Sequence, residues 1–490
     1  MTAFDNELYK KLQVEKINER IKAFDNKLYL EFGGKIFDDY HASRVLPGFE
    51  IDTKVKMLFD MKESLEIIVV INANDIQNGK IRADIGISYE NEVLRMLQAF
   101  NEMEFLARSV VITKYNGEVA VDKFKRKLKN MGIDVYVHYP IAGYPVNVSQ
   151  IVSDDGYGKN EYVKTTKPLV IVTAPGPGSG KMATCLSQLY HENKRGIVAG
   201  YAKFETFPIW NLPLKHPLNL AYEAATADLN DVNMIDPFHL ENYGKAAVNY
   251  NRDVEIFPTL ETLFKRIYGY SPYKSPTDMG VNMVGYCIKD EEKVRKACQN
   301  EVIRRYLNAI CDAKLGKISE DVVAKIANIM EQLETSVDER KIVSVSINKA
   351  KKCGTPVLAI ELSDGKIITG KTSNLLTSAA AAILNAVKYF SNIRDDLPLI
   401  SPNVIEPIVN LKSHILREHD EQLNANDVLL ALAIAATTNP FAEEALKNLS
   451  KLANAEAHST IILPYYDEEV LKKLFVNVTH EPVVFARKLK

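Results

Sequence analysis

Apolar positions in the first 175 residues follow two alternating rhythms. Short β-branched or aromatic runs predict strands at 27–32, 65–71, 109–113, 134–138 and 169–173. Between them, apolar residues recur at three- and four-residue spacing and predict helices over 53–63, 89–104 and 119–131. In VDKFKRKLKNMGIDVYVHYP the basic helix stops at Gly132 and a strand follows at once, a helix-to-strand turn. Strands alternating with helices predict an α/β fold, a doubly wound and mostly parallel sheet. The pattern continues with a helix at about 180–194 and a strand at 198–206. Residues 285–340 read as helical, Ser319 followed by Glu320 and Asp321 marking one capped start. From Ile342 strands resume, a helical block runs from about 402 to 452, and STIILP, DEEVLKKLF and VNVTHEPVVF close the chain as strand, helix, strand. The expected organisation is an α/β domain over 1–285, a helical connector over 286–340, and a C-terminal α/β domain over 341–490 carrying the helical insertion.

A parallel sheet directs attention to one edge, because open α/β sheets hold ligands beyond the carboxyl ends of their strands. Those ends carry Gly33-Gly34, then Asn72 to Asp75, Tyr115, Tyr139-Pro140 with Gly143, and Thr173 to Gly176. The sharpest chemical signal lies at the last of them, in KPLVIVTAPGPGSGKMATCLSQLYHE, residues 167–192. An apolar strand runs into Gly176, Gly178, Ser179, Gly180 and Lys181 and then into a helix. Glycines let backbone N–H groups turn around a phosphate, the helix start adds partial positive charge, and Lys181 supplies a point charge. The segment resembles a phosphate-binding P-loop with two departures: Pro175 stands at the first glycine, and Met182 at the Ser or Thr that holds Mg²⁺. Thr184 lies two residues further on, and Ser179 is the available substitute. ATP with Mg²⁺ is the expected cofactor.

Downstream, alternation in GYAKFETFPIWN places Tyr201, Lys203, Glu205 and Phe207 on one face. A strand-borne lysine after the first helix is similar in order to P-loop ligases that activate carboxylates, so Lys181, Lys203, Glu205 and Asp236 are the candidate catalytic residues. Asp236, after Asp228 and Asp231 in TADLNDVNMIDPFH, is the candidate metal-facing carboxylate together with Glu205. Gly33, Gly34, Asn72, Asp75 and Thr184 join the glycine loop as candidate ligand-binding residues. Further polar clusters are Asp38, Asp39, His41 and Arg44; Asn249, Asn251 and Arg252; and Ser275, Thr277, Asp278 and Asn282. His191 reads as packing or a cap.

Gly365 to Thr372, GKIITGKT, satisfies the P-loop pattern in full, yet TPVLAIELSDGKIITGKT reads as strand, Asp364-Gly365 turn, strand. A hairpin strand cannot cradle phosphate. The hairpin followed by an alanine-rich helix resembles the cytidine-deaminase fold, but Ser378-Ala379-Ala380-Ala381 stands where a zinc ligand and its Ala-Glu partner belong, and no PCxxC follows Cys353. No zinc is expected.

Composition adds limits. With 61 Lys plus Arg against 63 Asp plus Glu, the net charge is −2, so no basic surplus points to nucleic acid. A hydrophobic share of 46% and a charged share of 25% are globular values. The longest apolar run, residues 428–436, is too short for a membrane span. The N-terminus has no signal-peptide pattern, and five scattered cysteines fit reduced thiols, so a cytoplasmic location is expected. Expected partners are a phosphorylated small molecule or nucleotide and further copies of the chain, a homo-oligomer.

LYLEFGGKIFDDYHASRVLPGFE, VVINANDI, VTAPGPGSGKMATCLSQLYHE, KFETFPIWNLPLKHPLNLAYEAATADLNDVNMIDPFH and SPTDMGVNM resemble a bacterial family known as domain of unknown function eighteen forty-six, over nearly the whole chain. The resemblance implies a cytoplasmic protein with an α/β N-terminal part and a separate C-terminal part. It carries no reaction and no catalytic residues. The residues themselves lead to an enzyme that binds ATP or another phosphorylated ligand at 176–181, for phosphoryl transfer or ATP-dependent ligation of a small metabolite. The alternatives are a sugar- or nucleotide-phosphate enzyme without ATP, and a non-enzymatic, nucleotide-responsive regulatory or assembly protein.

Overall fold

Seven strands form one all-parallel sheet: β1 (Leu28–Phe32), β2 (Leu65–Asn72), β3 (Ser109–Thr113), β4 (Asp134–Val137), β5 (Leu169–Thr173), β6 (Gly200–Phe204) and β7 (Gly280–Val281). The computed structural model describes residues 2–34, 36–37, 39–82, 86–418 and 422–484. Spatial order is β7-β6-β1-β5-β2-β3-β4. β1, β2 and β5 are buried along their whole length, which is why they read as unbroken apolar runs.

Helices cover both faces of this sheet. Helix Lys181–Asn193 and helix Asn251–Tyr268 bring Leu186, Leu189, Leu260 and Phe264 onto the side chains of Ile68, Val70, Val170 and Val172. On the opposite face Phe32 and Phe204, register partners, stack at 4.2 Å, and helix Thr53–Asp60 lays the Lys54 ammonium over both rings.

The connectivity creates a switch point. From β1 the chain crosses to β2 and steps outward through β3 to β4. It then returns to insert β5 between β1 and β2, and leaves in the other direction through β6 and β7. The crossovers after β5 and after β2 therefore depart in opposite directions, and a crevice opens between them at the carboxyl edge.

The chain divides into two units, Met1–Cys298 and Gln299–Lys490, with helix Glu291–Lys314 running through the division. The second unit has a four-stranded sheet in which Val357–Glu361 pairs antiparallel with Ile367–Lys371 and with Glu456–Ser459, and the latter pairs parallel with Asn477–His480. The Asp364-Gly365 hairpin is present, so the perfect P-loop match is a paired strand. Helix Ser378–Phe390 lies so close to it that a Cβ on Gly370 would overlap the backbone of Ala382.

Two expectations shift. Strands were expected from Ile342, but Lys341–Cys353 is a helix. Its β-branched residues suggest a strand, whereas its buried positions, Ile342, Val343 and Ser346, follow helical spacing, and Gly354 ends it in the left-handed conformation. The strand expected at STIILP lies upstream, at Glu456–Ser459. Among the described residues no helix is long and apolar enough to cross a membrane.

Candidate functional site

β5 ends at Thr173, directly on the crevice, and delivers the glycine loop there. Gly178 (φ +74°) and Gly180 (φ +93°) both adopt the left-handed conformation, which costs a side-chain-bearing residue steric strain. Three neighbours hold the loop. Asn72, the last residue of β2, donates from Nδ2 to the Gly178 carbonyl at 3.2 Å. Thr113, the last of β3, donates from Oγ1 to the Ser179 carbonyl at 2.7 Å. The Ser179 hydroxyl closes the loop on itself through the Gly176 carbonyl, at 2.7 Å. Gly176 leaves no room for a Cβ, which would overlap the Tyr89 hydroxyl.

This clamping fixes carbonyls and leaves donors idle. Gly180 caps helix Lys181–Asn193 without any side-chain hydrogen bond. The backbone N–H groups of Gly178, Gly180, Lys181, Met182 and Ala183 find no acceptor among the described residues. Those of the first helical turn point out along the axis at its positive end. Lys181, half-buried, makes no hydrogen bond or ion pair among the described residues. The Thr184 hydroxyl, fully buried, also lacks a partner there. Unsatisfied N–H donors, a helix N-terminus and an unpaired ammonium form an arrangement suited to an anion.

A second cluster occupies the same face of the sheet, two strands away. In register, Glu31 on β1 lies between Val172 on β5 and Lys203 on β6. The Lys203 ammonium bonds Asp253 Oδ2 at 2.6 Å, Glu205 Oε1 at 2.7 Å and the Tyr250 hydroxyl. Tyr250 in turn donates to Glu205 Oε1 at 2.6 Å, and Tyr201 donates to Glu31 Oε2 at 2.7 Å. Asp253 comes from the first turn of helix Asn251–Tyr268. Burial works against charge on Lys203, but Asp253, Glu205 and Glu31 outweigh it and raise the lysine well above its ordinary range. Burial pushes Glu205 up; Lys203 pulls it down and Asp253 pushes again, leaving it at about 7. A carboxyl that titrates near neutrality, hydrogen-bonded to a tyrosine and a lysine, is suited to proton transfer.

Gly33 is the floor next to this cluster. A Cβ there would meet the Phe204 carbonyl at 2.8 Å and Glu205 Cγ at 3.3 Å. Gly34 (φ +69°) faces Lys54, which pairs with Asp39 at 2.7 Å. Burial would raise the Asp39 carboxyl, but Lys54 outweighs it and the group lies below its ordinary range. Asp75 pairs with Lys80 at 3.3 Å, and Lys80 lies over the ring of Tyr89.

Residues 2–334 match the family described as "Domain of unknown function DUF1846, N-terminal", and residues 338–489 match "Domain of unknown function DUF1846, C-terminal". The chain belongs to this family. Within it, the chain is similar to a "UPF0371 protein" of Streptococcus pneumoniae (strain JJA), 54% identical over 98% of this chain and 97% of the relative. A UPF0371 protein of Streptococcus pyogenes serotype M5 (strain Manfredo) is 52% identical over 99% of each.

In this family member the carboxyl edge thus brings together Gly33, Gly34, Asn72, Asp75, the 176–181 loop, Lys203 and Glu205. Asp236 is committed elsewhere. Its Oδ1 accepts from Phe238 N and His239 N, both at 3.0 Å, and its Oδ2 accepts from Thr277 N and Thr277 Oγ1, at 3.2 and 2.6 Å. It caps helix Pro237–Tyr243, and no hydrogen bond or ion pair joins it to Glu205 among the described residues. Phe207, like Glu205, lies beyond the end of β6, and it stacks on Tyr222. Ser275 and Asp278 form a capping box, and Arg252 pairs with Asp231. Of the Asp38, Asp39, His41 and Arg44 group, Asp38 lies outside the described residues, while Asp39 caps helix Tyr40–Val45. Among the described residues no group of three or more His, Cys, Asp or Glu could hold a metal ion.

Sequence reasoning missed Glu31, Tyr250, Asp253, Tyr89 and Thr113. A carboxylate inside the apolar run LYLEF was the available signal for Glu31.

Proposed function

We propose that this chain is an enzyme that binds a phosphorylated small molecule at Gly176–Lys181 and uses the Lys203–Glu205 pair as its proton-transfer group. The observation that carries the reading is the set of unpaired backbone donors from Gly178 to Ala183, with Lys181 beside them, at the switch point of a parallel sheet. An anion there replaces water on these donors and meets the helix dipole without displacing any existing ion pair. ATP with Mg²⁺ belongs to this ligand class, and phosphoryl transfer or ATP-dependent ligation to the reactions it would serve. The side chain after the lysine is Met182, which offers a metal no oxygen, so the loop's part is anion binding.

Calorimetric titration of inorganic phosphate, pyrophosphate and Mg·ATP into wild type and Lys181→Ala tests this. At least one of them binds wild type, and the variant loses about 1.5–3 kcal/mol, roughly 10- to 150-fold in Kd. Its urea unfolding midpoint stays the same, because Lys181 pairs with nothing in the described chain. Equal affinity in both proteins would remove the loop from the site. Binding of a ligand without turnover would favour a regulatory role.

A further inference from the structure

We infer that the glycine loop and the Lys203–Glu205 cluster are two ends of one site, and that its ligand is a monosaccharide phosphate, a pentose or hexose bearing one terminal phosphate. The inference rests on the phosphate reading of the loop and adds the chemistry of the other end.

The first support is spacing. β1 alone separates β5 from β6, so the loop after Thr173 and the Lys203–Glu205 end lie two strand spacings apart, about 10 Å. A sugar with a terminal phosphate has this reach, and inorganic phosphate does not. Glu31 bridges the interval on the same face, and both Glu31 and Lys181 act electrostatically on Cys185, in the first turns of the helix that Lys181 begins.

The second support is the set of acceptors left open at the far end. Each carboxylate of the cluster spends one oxygen inside it: Glu31 Oε2 on Tyr201, Glu205 Oε1 on Lys203 and Tyr250, Asp253 Oδ2 on Lys203. Glu31 Oε1, Glu205 Oε2 and Asp253 Oδ1 have no hydrogen-bond partner among the described residues. Glu31 is only 8% exposed, and the side chains of Glu205 and Asp253 are 17% and 19% exposed, so these acceptors have little access to solvent. Acceptors withdrawn from water need donors.

The third support is charge. Three carboxylates surround a single ammonium, an excess of acidic groups that repels an anionic group at this end. A ligand that is anionic at the loop and rich in neutral O–H donors at the other end satisfies both halves. Lys203 and Tyr250 already spend their protons inside the cluster, so what it offers a ligand is the free oxygens Glu31 Oε1, Glu205 Oε2 and Asp253 Oδ1. Hydroxyl groups donate to them as no carboxylate or second phosphate could.

The experiment measures the Kd of inorganic phosphate, ribose 5-phosphate, glucose 6-phosphate and Mg·ATP on wild type, Glu205→Gln and Tyr250→Phe. One of the sugar phosphates is expected to bind wild type at least tenfold more tightly than inorganic phosphate and to compete with it. Both variants should lose most of that gain while holding inorganic phosphate within twofold of wild type. Tyr250→Phe removes a single hydroxyl, so it carries the test if Glu205→Gln folds poorly. Sugar phosphates no tighter than inorganic phosphate, a gain that survives both variants, or Mg·ATP binding more tightly than either sugar phosphate would each overturn the inference while leaving an anion site at the loop. Failure of every ligand on wild type would remove the loop site and this inference with it.

Discussion

Lys203→Met is expected to lower the stability of the N-terminal unit by about 3–5 kcal/mol, the cost of removing one partner from a buried ion pair. Lys203 is the only cation joined to Glu205 and Asp253 in the hydrogen bonds and ion pairs of the described residues, and it neighbours Glu31 in register. Methionine fills much of the same volume but leaves these carboxylates facing one another in a largely buried space. The deficit should depend on pH with a definite sign. Carboxyls stranded in the variant have folded-state pKa values above their unfolded ones, so the folded form holds protons more tightly and regains stability as pH falls below neutrality. Urea unfolding at pH 8 and pH 5.5, followed through Trp210, reads this directly, because Trp210 is the chain's single tryptophan and donates to the Asn282 carbonyl within this unit. Adding Glu205→Gln and Asp253→Asn should restore most of the loss. A deficit below 1 kcal/mol at pH 8 would mean that the cluster is solvated and is not a low-dielectric site.

Gly180→Val is the second large effect. Gly180 holds φ at +93°, and a Cβ there would meet Thr113 Cγ2 at 2.9 Å and Oγ1 at 3.0 Å, the hydroxyl that anchors the Ser179 carbonyl. The left-handed backbone costs a non-glycine residue about 1–2 kcal/mol, and overpacking against Thr113 about 1–3 more. The chain can relieve both only by turning the loop, which redirects the N–H groups at the helix start. Stability should fall by about 2–5 kcal/mol, and phosphate binding should disappear even in the fraction that stays folded. Gly178→Ala is the contrast: its φ is also positive, at +74°, but open space surrounds the added Cβ, so only the backbone cost applies. Equilibrium unfolding and phosphate titration on the two variants together separate strain from lost binding.

Much of the fold was legible because the parallel sheet writes itself as apolar runs. The strands at 109–113 and 169–173 match β3 and β5 end for end. The crevice loops follow from the same logic, since every β carboxyl end in a parallel sheet reaches one edge. What stayed hidden depends on register and on distance along the chain. Nothing local tells that β5 returns between β1 and β2, so nothing local places Glu31 between the loop and Lys203. Asp253 and Tyr250 lie about fifty residues beyond Lys203 and reach it only because helix Asn251–Tyr268 packs back over the sheet. Asp236 misleads for the opposite reason. A carboxylate ending a short apolar run reads equally as ligand or as cap, and Pro237 at the first helical position makes it a cap.

The central claim is that the donors from Gly178 to Ala183 hold the phosphate of the ligand. Crystals soaked in a mixture of phosphorylated nucleotides and sugar phosphates test it most directly. The account predicts phosphate density within hydrogen-bonding distance of those N–H groups and of Lys181 Nζ, with the rest of the ligand extending along the carboxyl edge toward Glu31 and Lys203. Density at another place in the chain, with this loop still holding only water, would contradict it.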